Sequence, residues 1–174
     1  MESIIGEKVI LKPITKEYTP LIVKWRNTES VRNNFIYRET FTEEGHNHWM
    51  DTKVATGEVV QFIIFDKSSD KPVGSVYFRD VDKIKKMAEY GIFIGEECAR
   101  GKGLGTETAK LMCDFGFEKL GLKKIILRVF AYNKQAIKSY ENAGFVPYDI
   151  LKNEVVVDDE SYDIIMMQKI KEKK

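Results

Sequence analysis

The chain has 174 residues, 43% of them apolar, enough for one domain with a real core and unlike a disordered tail. Lysine plus arginine number 28 against 27 aspartate plus glutamate, which argues against a nucleic-acid protein with its basic excess or basic face. No apolar run approaches a membrane span, no secretory leader is visible, and Cys98 and Cys113 make neither a metal pair nor a redox motif, so a reduced, cytoplasmic protein is expected.

In chain order, Val9–Leu11 reads as a short strand ended by Pro13. Thr15 is a candidate cap for a helix from about Glu17 to Trp25, with Leu21, Ile22 and Trp25 on one face. Thr42 is the cap expected for a second helix, whose first turn holds Glu43 and Glu44 where the helix dipole favours acids. Val59–Phe65 reads as a buried strand and Ser68–Pro72 as a turn. Val73–Arg79 and Met87–Ile94 continue an antiparallel meander. A glycine-rich loop then opens a helix from about Thr106 to Leu120, stopped at Gly121. Ile125–Ala131 is a strand rich in branched residues, and Asn133–Asn142 a helix closed by Gly144 as a left-handed cap. Phe145–Ile170 reads as two long strands joined near Asp158-Asp159-Glu160, and the Lys169–Lys174 tail is expected to fray. The pattern describes an α/β (α+β) protein, residues 1–174 forming one domain around a mixed, mostly antiparallel sheet flanked by helices.

The loop is Arg100-Gly101-Lys102-Gly103-Leu104-Gly105-Thr106. Glycines at alternate positions bare the backbone, so its N–H groups can converge on an anion at the start of the next helix. Rival phosphate loops fit poorly. A Walker loop follows its lysine with a hydroxyl residue, whereas Gly103 follows Lys102 here. A dinucleotide fingerprint needs a longer last glycine interval. A flexible surface turn is the bland alternative, and it gives no reason for glycines that each cost stability. A pyrophosphate cradle is therefore expected.

Arg100-x-x-Gly103-x-Gly105 resembles the acyl-CoA loop of the GNAT acetyltransferase superfamily. Ala88-Glu89-Tyr90-Gly91-Ile92-Phe93-Ile94 is similar to that family's central strand, and Asn133-x-x-Ala136-x-x-x-Tyr140-x-x-x-Gly144-Phe145 to its Asn…Tyr…Gly-Phe segment. The likeness runs from about Val73 to Phe145. It implies the GNAT fold and acetyl-CoA as co-substrate; His46 and His48, two apart, lack the spacing of helical metal ligands, so no metal is expected. Arg100, Gly101, Lys102, Gly103, Leu104, Gly105 and Thr106 would hold the pyrophosphate, and main-chain groups of Ile92, Phe93 and Ile94 would pair with pantetheine. Asn133 would bond the pantetheine arm, and the Tyr140 phenol would protonate the departing thiolate. A charge in an otherwise apolar strand needs a reason, which makes Glu89 the candidate general base, taking a proton directly or through water; a pocket-mouth residue without chemistry is an equal alternative. Cys98, beside Glu96 and Glu97, lacks a thiolate-promoting neighbour.

The acceptor is expected to be a small-molecule amine. Trp25-Arg26-Asn27, Arg32 and the Glu43–Trp49 segment look like those of amino-sugar acetyltransferases that act on nucleotide-linked sugars. Arg26 and Arg32 would then meet phosphates, aromatics such as Trp25 a sugar or base face, and His48 the pocket. Trp25 as plain core and solvated arginines are the competing reading. Arg100–Phe145 is also similar to spermidine acetyltransferases, for which Glu29, Glu43 and Glu44 would supply carboxylates. Ribosomal-protein N-terminal acetyltransferases come third, and a non-catalytic acyl-CoA sensor is the reading of another class. The family resemblance also allows a homodimer.

Overall fold

The chain builds its sheet mostly from hairpins, because successive apolar runs are separated by short turns. The computed structural model describes residues 1–173. The strands are β1 (Ile4–Ile5), β2 (Val9–Pro13), β3 (Val60–Asp66), β4 (Lys71–Asp82), β5 (Met87–Ile94), β6 (Lys124–Phe130), β7 (Val146–Val157) and β8 (Glu160–Ile170). The helices are α1 (Thr19–Arg26), α2 (Glu29–Arg32), α3 (Glu43–Trp49), α4 (Leu104–Glu118) and α5 (Lys134–Asn142). Among the described residues, eight strands join one sheet in the order β1-β2-β3-β4-β5-β6-β8-β7. Pairing is antiparallel except between β5 and β6, which run parallel. α4 is the crossover between them, as a parallel neighbour requires.

β3 lies at the heart of the core, and every residue of it is buried. Its alternate side chains serve two layers. Phe62 and Ile64 join Val9, Leu11, Met112 and Phe145 in the larger core, while Ile63 and Phe65 join Ile22, Trp25 and Val31 on the other face. Both faces are covered, so β3 reads as an unbroken apolar run. The Glu107 carboxylate accepts the N–H groups of Glu7, Lys8 and Val9 at 3.1, 2.8 and 2.8 Å, tying the β1–β2 turn to the first turn of α4.

Several boundaries differ from the sequence reading. The Thr15 side chain makes no cap bond; one 3-10 turn (Lys16–Tyr18) intervenes, and α1 starts with Pro20 in its first turn. Proline's preset φ and missing N–H suit that position. The short helix α2 was not expected. α4 begins two residues early because Gly103, at φ +79°, supplies the left-handed break that precedes it. The tail is tied down as far as Lys171. Lys169 Nζ donates to the Ala143 carbonyl at 2.8 Å, and the Lys171 N–H donates to the Lys123 carbonyl at 2.9 Å. Lys174 lies outside the described residues. Thr42 does cap α3, accepting the Gly45 N–H at 3.1 Å. Among the described residues, no helix is long and apolar enough to cross a membrane.

The feature that positions the site is a splay. β5 and β6 pair only at Met87–Glu89 with Lys124–Ile126. Beyond Glu89 the two strands part, and a cleft of about 1280 Å³ opens between them.

Candidate active site

The open edge of β5 has a defined polarity. The Gly95 N–H donates to the Val73 carbonyl at 2.8 Å, so that pair is hydrogen-bonded. Strand alternation then turns the main-chain groups of Phe93 and Gly91 toward β4, and those of Tyr90, Ile92 and Ile94 toward the opening. Of the three residues expected to meet pantetheine, Phe93 therefore has its backbone committed to β4. The Ile94 carbonyl is also taken, accepting Arg100 Nε at 3.1 Å and Nη2 at 2.9 Å. Ile92 keeps both its N–H and its carbonyl on the open side.

The glycine loop stands at one end of the opening. Gly101 (φ +73°) and Gly103 (φ +79°) occupy the left-handed region, which L side chains adopt only with strain. A Cβ on Gly105 would find only Ser139 Oγ, at 3.7 Å, so the first turn of α4 is bare toward the cleft. Gly101, Gly103, Leu104, Gly105 and Thr106 all line it, and the Thr106 and Ser139 hydroxyls pair at 2.9 Å between α4 and α5. A phosphate-bearing chain fits this cradle. Arg100 also lines it but acts as a brace, its guanidinium bonded to the Ile94 carbonyl and to Ser30 Oγ. Lys102 is exposed, and its carbonyl accepts a long bond from Lys8 Nζ.

On the opposite wall, α5 contributes Asn133 and Tyr140. Asn133 is the helix cap, accepting the Ala136 N–H at 3.2 Å through Oδ1. That leaves its Nδ2 group for a ligand. The Tyr140 ring packs edge-on against Tyr90 and Phe145, both centroids at 6.0 Å. Burial lifts the Tyr140 phenol far above its ordinary value, with the Tyr77 phenol adding to the shift, so it remains protonated at neutral pH. Tyr90 also faces the cleft, and its buried hydroxyl has no hydrogen-bond partner. Gly91 is required beside it, because a Cβ there would collide with the Tyr77 ring.

Glu89 sits where the splay begins. Arg79 Nη2 reaches both of its oxygens, at 3.1 and 3.0 Å, and Arg128 Nε donates to Oε1 at 2.8 Å. Arg79 is its register partner on β4. Burial raises the Glu89 carboxyl above the usual range, and Arg79 draws it part of the way back. The two arginines, both on the cleft wall, escaped the sequence reading; each is an ionic residue in a mostly apolar strand, the same signal that flagged Glu89.

The acceptor-side residues are scattered. Arg26 lines the cleft, but Trp25, Arg32 and His48 do not. Trp25 is 1% exposed, packs against Gly95, and donates Nε1–H to Glu96 at 2.8 Å. Arg32 is exposed and bonds the Arg38 carbonyl at 2.7 Å. His48 lies in a separate shallow depression with Glu44 and Asp51, and it is His46 that faces the main cleft. Phe35, Phe41, Trp49 and Tyr77 complete that end. Among the described residues no group of His, Cys, Asp or Glu side chains is placed to hold a metal. Burial pushes the Cys113 thiol up to about 12, which makes it inert.

A split sheet, a left-handed glycine cradle at a helix start and a buried phenol opposite define an acyl-CoA-dependent transferase. Residues 8–146 match the acetyltransferase (GNAT) domain family, and the chain belongs to that family. Family members use acetyl-CoA, and the fold is the mixed, mostly antiparallel sheet expected from the sequence. The chain is 28% identical over 164 residues to spermidine N(1)-acetyltransferase of Escherichia coli, covering 93% of this chain and 86% of that one. It is 26% identical over 154 residues to the mouse alpha/beta-tubulin-N-acetyltransferase 9, spanning 82% of this chain but only 63% of the mouse protein. A crystal structure of spermidine N-acetyltransferase from Vibrio cholerae with CoA and spermine superposes with a TM-score of 0.87 at 21% identity, over 95% of this chain and 96% of that one.

Proposed function

We propose that this chain, acting as one catalytic unit, moves an acetyl group from acetyl-CoA to the primary amine of a small molecule by direct attack. The observation that carries this reading is the opening between β5 and β6, flanked by the loop at Gly101–Thr106 and faced by Tyr140. Acetyl-CoA supplies the thioester: the new C–N bond forms as the C–S bond breaks, and the sulfur leaves as a thiolate. The chain's own groups do the rest. Loop N–H groups and the α4 N-terminus hold the pyrophosphate. Ile92 offers main-chain partners to the pantetheine arm, with Asn133 Nδ2 beside it. Tyr140, kept protonated by burial, gives its proton to the leaving sulfur. Glu89 takes the proton shed by the attacking amine, directly or through one water, while Arg79 and Arg128 hold it in place.

The names of the relatives support a polyamine as one acceptor class. A nucleotide-linked amino sugar is the class that a cationic, aromatic acceptor end supports. Exposed Val146, Ile150 and Val156 on the edge strand β7 support self-association, and a Vibrio cholerae relative is dodecameric. A cytoplasmic setting suits free cysteines and this co-substrate. Free-thiol release from acetyl-CoA, measured with spermidine, a nucleotide-linked amino sugar and an N-terminal ribosomal peptide, tests the reading. Amine-dependent release with any of them upholds it. Tight acetyl-CoA binding with no turnover on any amine would leave a sensor instead.

A further inference from the structure

Arg26 is a buried cation with nothing to balance it. It closes α1 at 8% exposure, and its Nε has no hydrogen-bond partner. No carboxylate among the described residues lies within ion-pair distance. Its guanidinium lies over the Phe35 ring at 3.4 Å and the Phe41 ring at 4.3 Å, with Phe93 at 5.8 Å. The ionisable groups that face it are the Tyr77 phenol, Arg79 and His46, and none is an anion at neutral pH. An unpaired buried charge is strongly destabilising, and burial lowers this guanidinium to about 10. Aromatic faces offset part of that cost and supply no counter-charge.

His46 beside it carries a second orphan. Its Nδ1 pairs with Thr19 Oγ1 at 3.0 Å, and the Thr19 hydroxyl proton goes to Asn47 Oδ1 at 2.7 Å. Thr19 can then only accept from the histidine, which puts the ring proton on Nδ1. Nε2 is left as a bare lone pair, buried and unpartnered. The cleft thus holds, side by side, a guanidinium whose Nε has no partner and which has only the neutral Tyr77 phenol as a polar neighbour, and an imidazole acceptor, Nε2, with none.

The wider acceptor end repeats the sign. Arg79 and Arg128 share the Glu89 carboxylate, and Arg79 Nε also lies 3.7 Å from the exposed Asp80 carboxylate, which is off the cleft wall. Glu39 is the other acid on the cleft wall, exposed and bonded by the Tyr37 hydroxyl at 2.6 Å. Glu29 and Glu43 lie outside the cleft, and Glu44 faces the separate depression. A polycation entering here meets three arginines against two acids.

Resting on the N-acetyltransferase reading, we propose that the acceptor amine carries an anionic group, carboxylate or phosphate, whose oxygens seat against Arg26 between the Phe35 and Phe41 rings. A hydroxyl or N–H of the same molecule donates to His46 Nε2. Arg26 thereby sets acceptor class, preferring an amine with anionic oxygens over the same skeleton with a neutral or cationic end.

Matched amines test this on the unmodified protein. 4-Aminobutyrate is compared with 1,4-diaminobutane, and glucosamine 6-phosphate with glucosamine, following thiol release; spermidine is run alongside, and acetyl-CoA affinity is measured by calorimetry. At least a tenfold higher kcat/KM for the anionic member is expected in one pair, and which pair shows it separates carboxylate from phosphate. Arg26→Met should lower that preference ratio at least tenfold while acetyl-CoA affinity holds; Arg26→Lys, which keeps the charge but not the fork, should retain part of it. Equal or reversed rates in both pairs overturn the inference, as does an unchanged ratio in a cooperatively melting Arg26→Met. Turnover of spermidine alone sinks the anionic acceptor and leaves the acetyltransferase standing. Acetyl-CoA binding with no amine acetylated removes both.

Discussion

The half of the cleft proposed for the cofactor is made of main chain, whereas the half proposed for the acceptor is made of side chains from elements far apart in sequence. The first is a loop, a strand edge and two helix starts, all between Glu89 and Tyr140. Its chemistry is that of N–H groups and glycine φ angles, which tolerate few substitutions and serve any acyl-CoA enzyme alike. The second joins α1, the irregular segment 33–42, α3 and the middle of the sheet. Its chemistry is charge and aromatic surface, which can change without unmaking the fold. A shared cofactor with a divergent acceptor is what such a division permits.

The strongest way to break this contrast is to fill the cradle. Gly105→Glu puts a carboxylate into the bare first turn of α4, and acetyl-CoA affinity should fall about 100-fold or more, since several charge-assisted bonds are lost together. Calorimetry that shows undiminished affinity would move the pyrophosphate elsewhere. Tyr140→Phe should lower kcat by roughly 100-fold with little change in acetyl-CoA affinity, as expected of a general acid. Parallel losses in affinity and turnover would make Tyr140 a binding residue.

Glu89→Gln sharpens the boundary between the halves. As the proposed base, Glu89 works as a carboxylate, so activity should fall as pH drops through a pKa lying above the usual carboxylate range. The variant should lose that acid limb together with about tenfold or more of its rate. A superimposable pH–rate profile removes Glu89 from the mechanism. Trp25→Phe separates core from site. Losing the Nε1–Glu96 bond and part of the ring should cost about 1–3 kcal/mol in urea unfolding while acceptor KM is unchanged. A raised acceptor KM would return Trp25 to the substrate pocket.

The smallest expected effect concerns His46. Burial, with Arg26 adding to it, lowers its pKa from 6.5 to about 4. The unfolded chain therefore takes up a proton below about 6.5 that the folded protein refuses until about 4. Stability from this group is present above pH 6.5 and is lost progressively as pH falls toward 4. Thermal melts across that window should decline more steeply for the unmodified protein than for His46→Gln; identical slopes would place His46 in a solvated setting.

The elements of the cofactor half were legible because each is a local signal. Alternating glycines mark the loop, and the helical run read at Asn133–Asn142 brings Asn133 and Tyr140 together. Main-chain direction was not legible. Phe93 turns its backbone to β4 while Ile92 turns its own to the opening, and only the register of the β4–β5 pair decides between them. The acceptor half was legible as candidates without a map. Trp25 and Arg26 are adjacent in sequence yet point apart, one into the second core and the other into the cleft. His46 and His48 divide in the same manner.

The sequence by itself therefore determined most of the strands and helices, the glycine loop that opens α4 and the place of Tyr140 on α5, because periodicity, caps and glycine conformations act over a few residues. The tertiary structure alone decided that β5 and β6 part after Glu89, that Arg79 and Arg128 close on that carboxylate, and that Arg26 lies buried without an acid. Those outcomes depend on which strands become neighbours and on what burial leaves unpaired, and neither is encoded within any one segment.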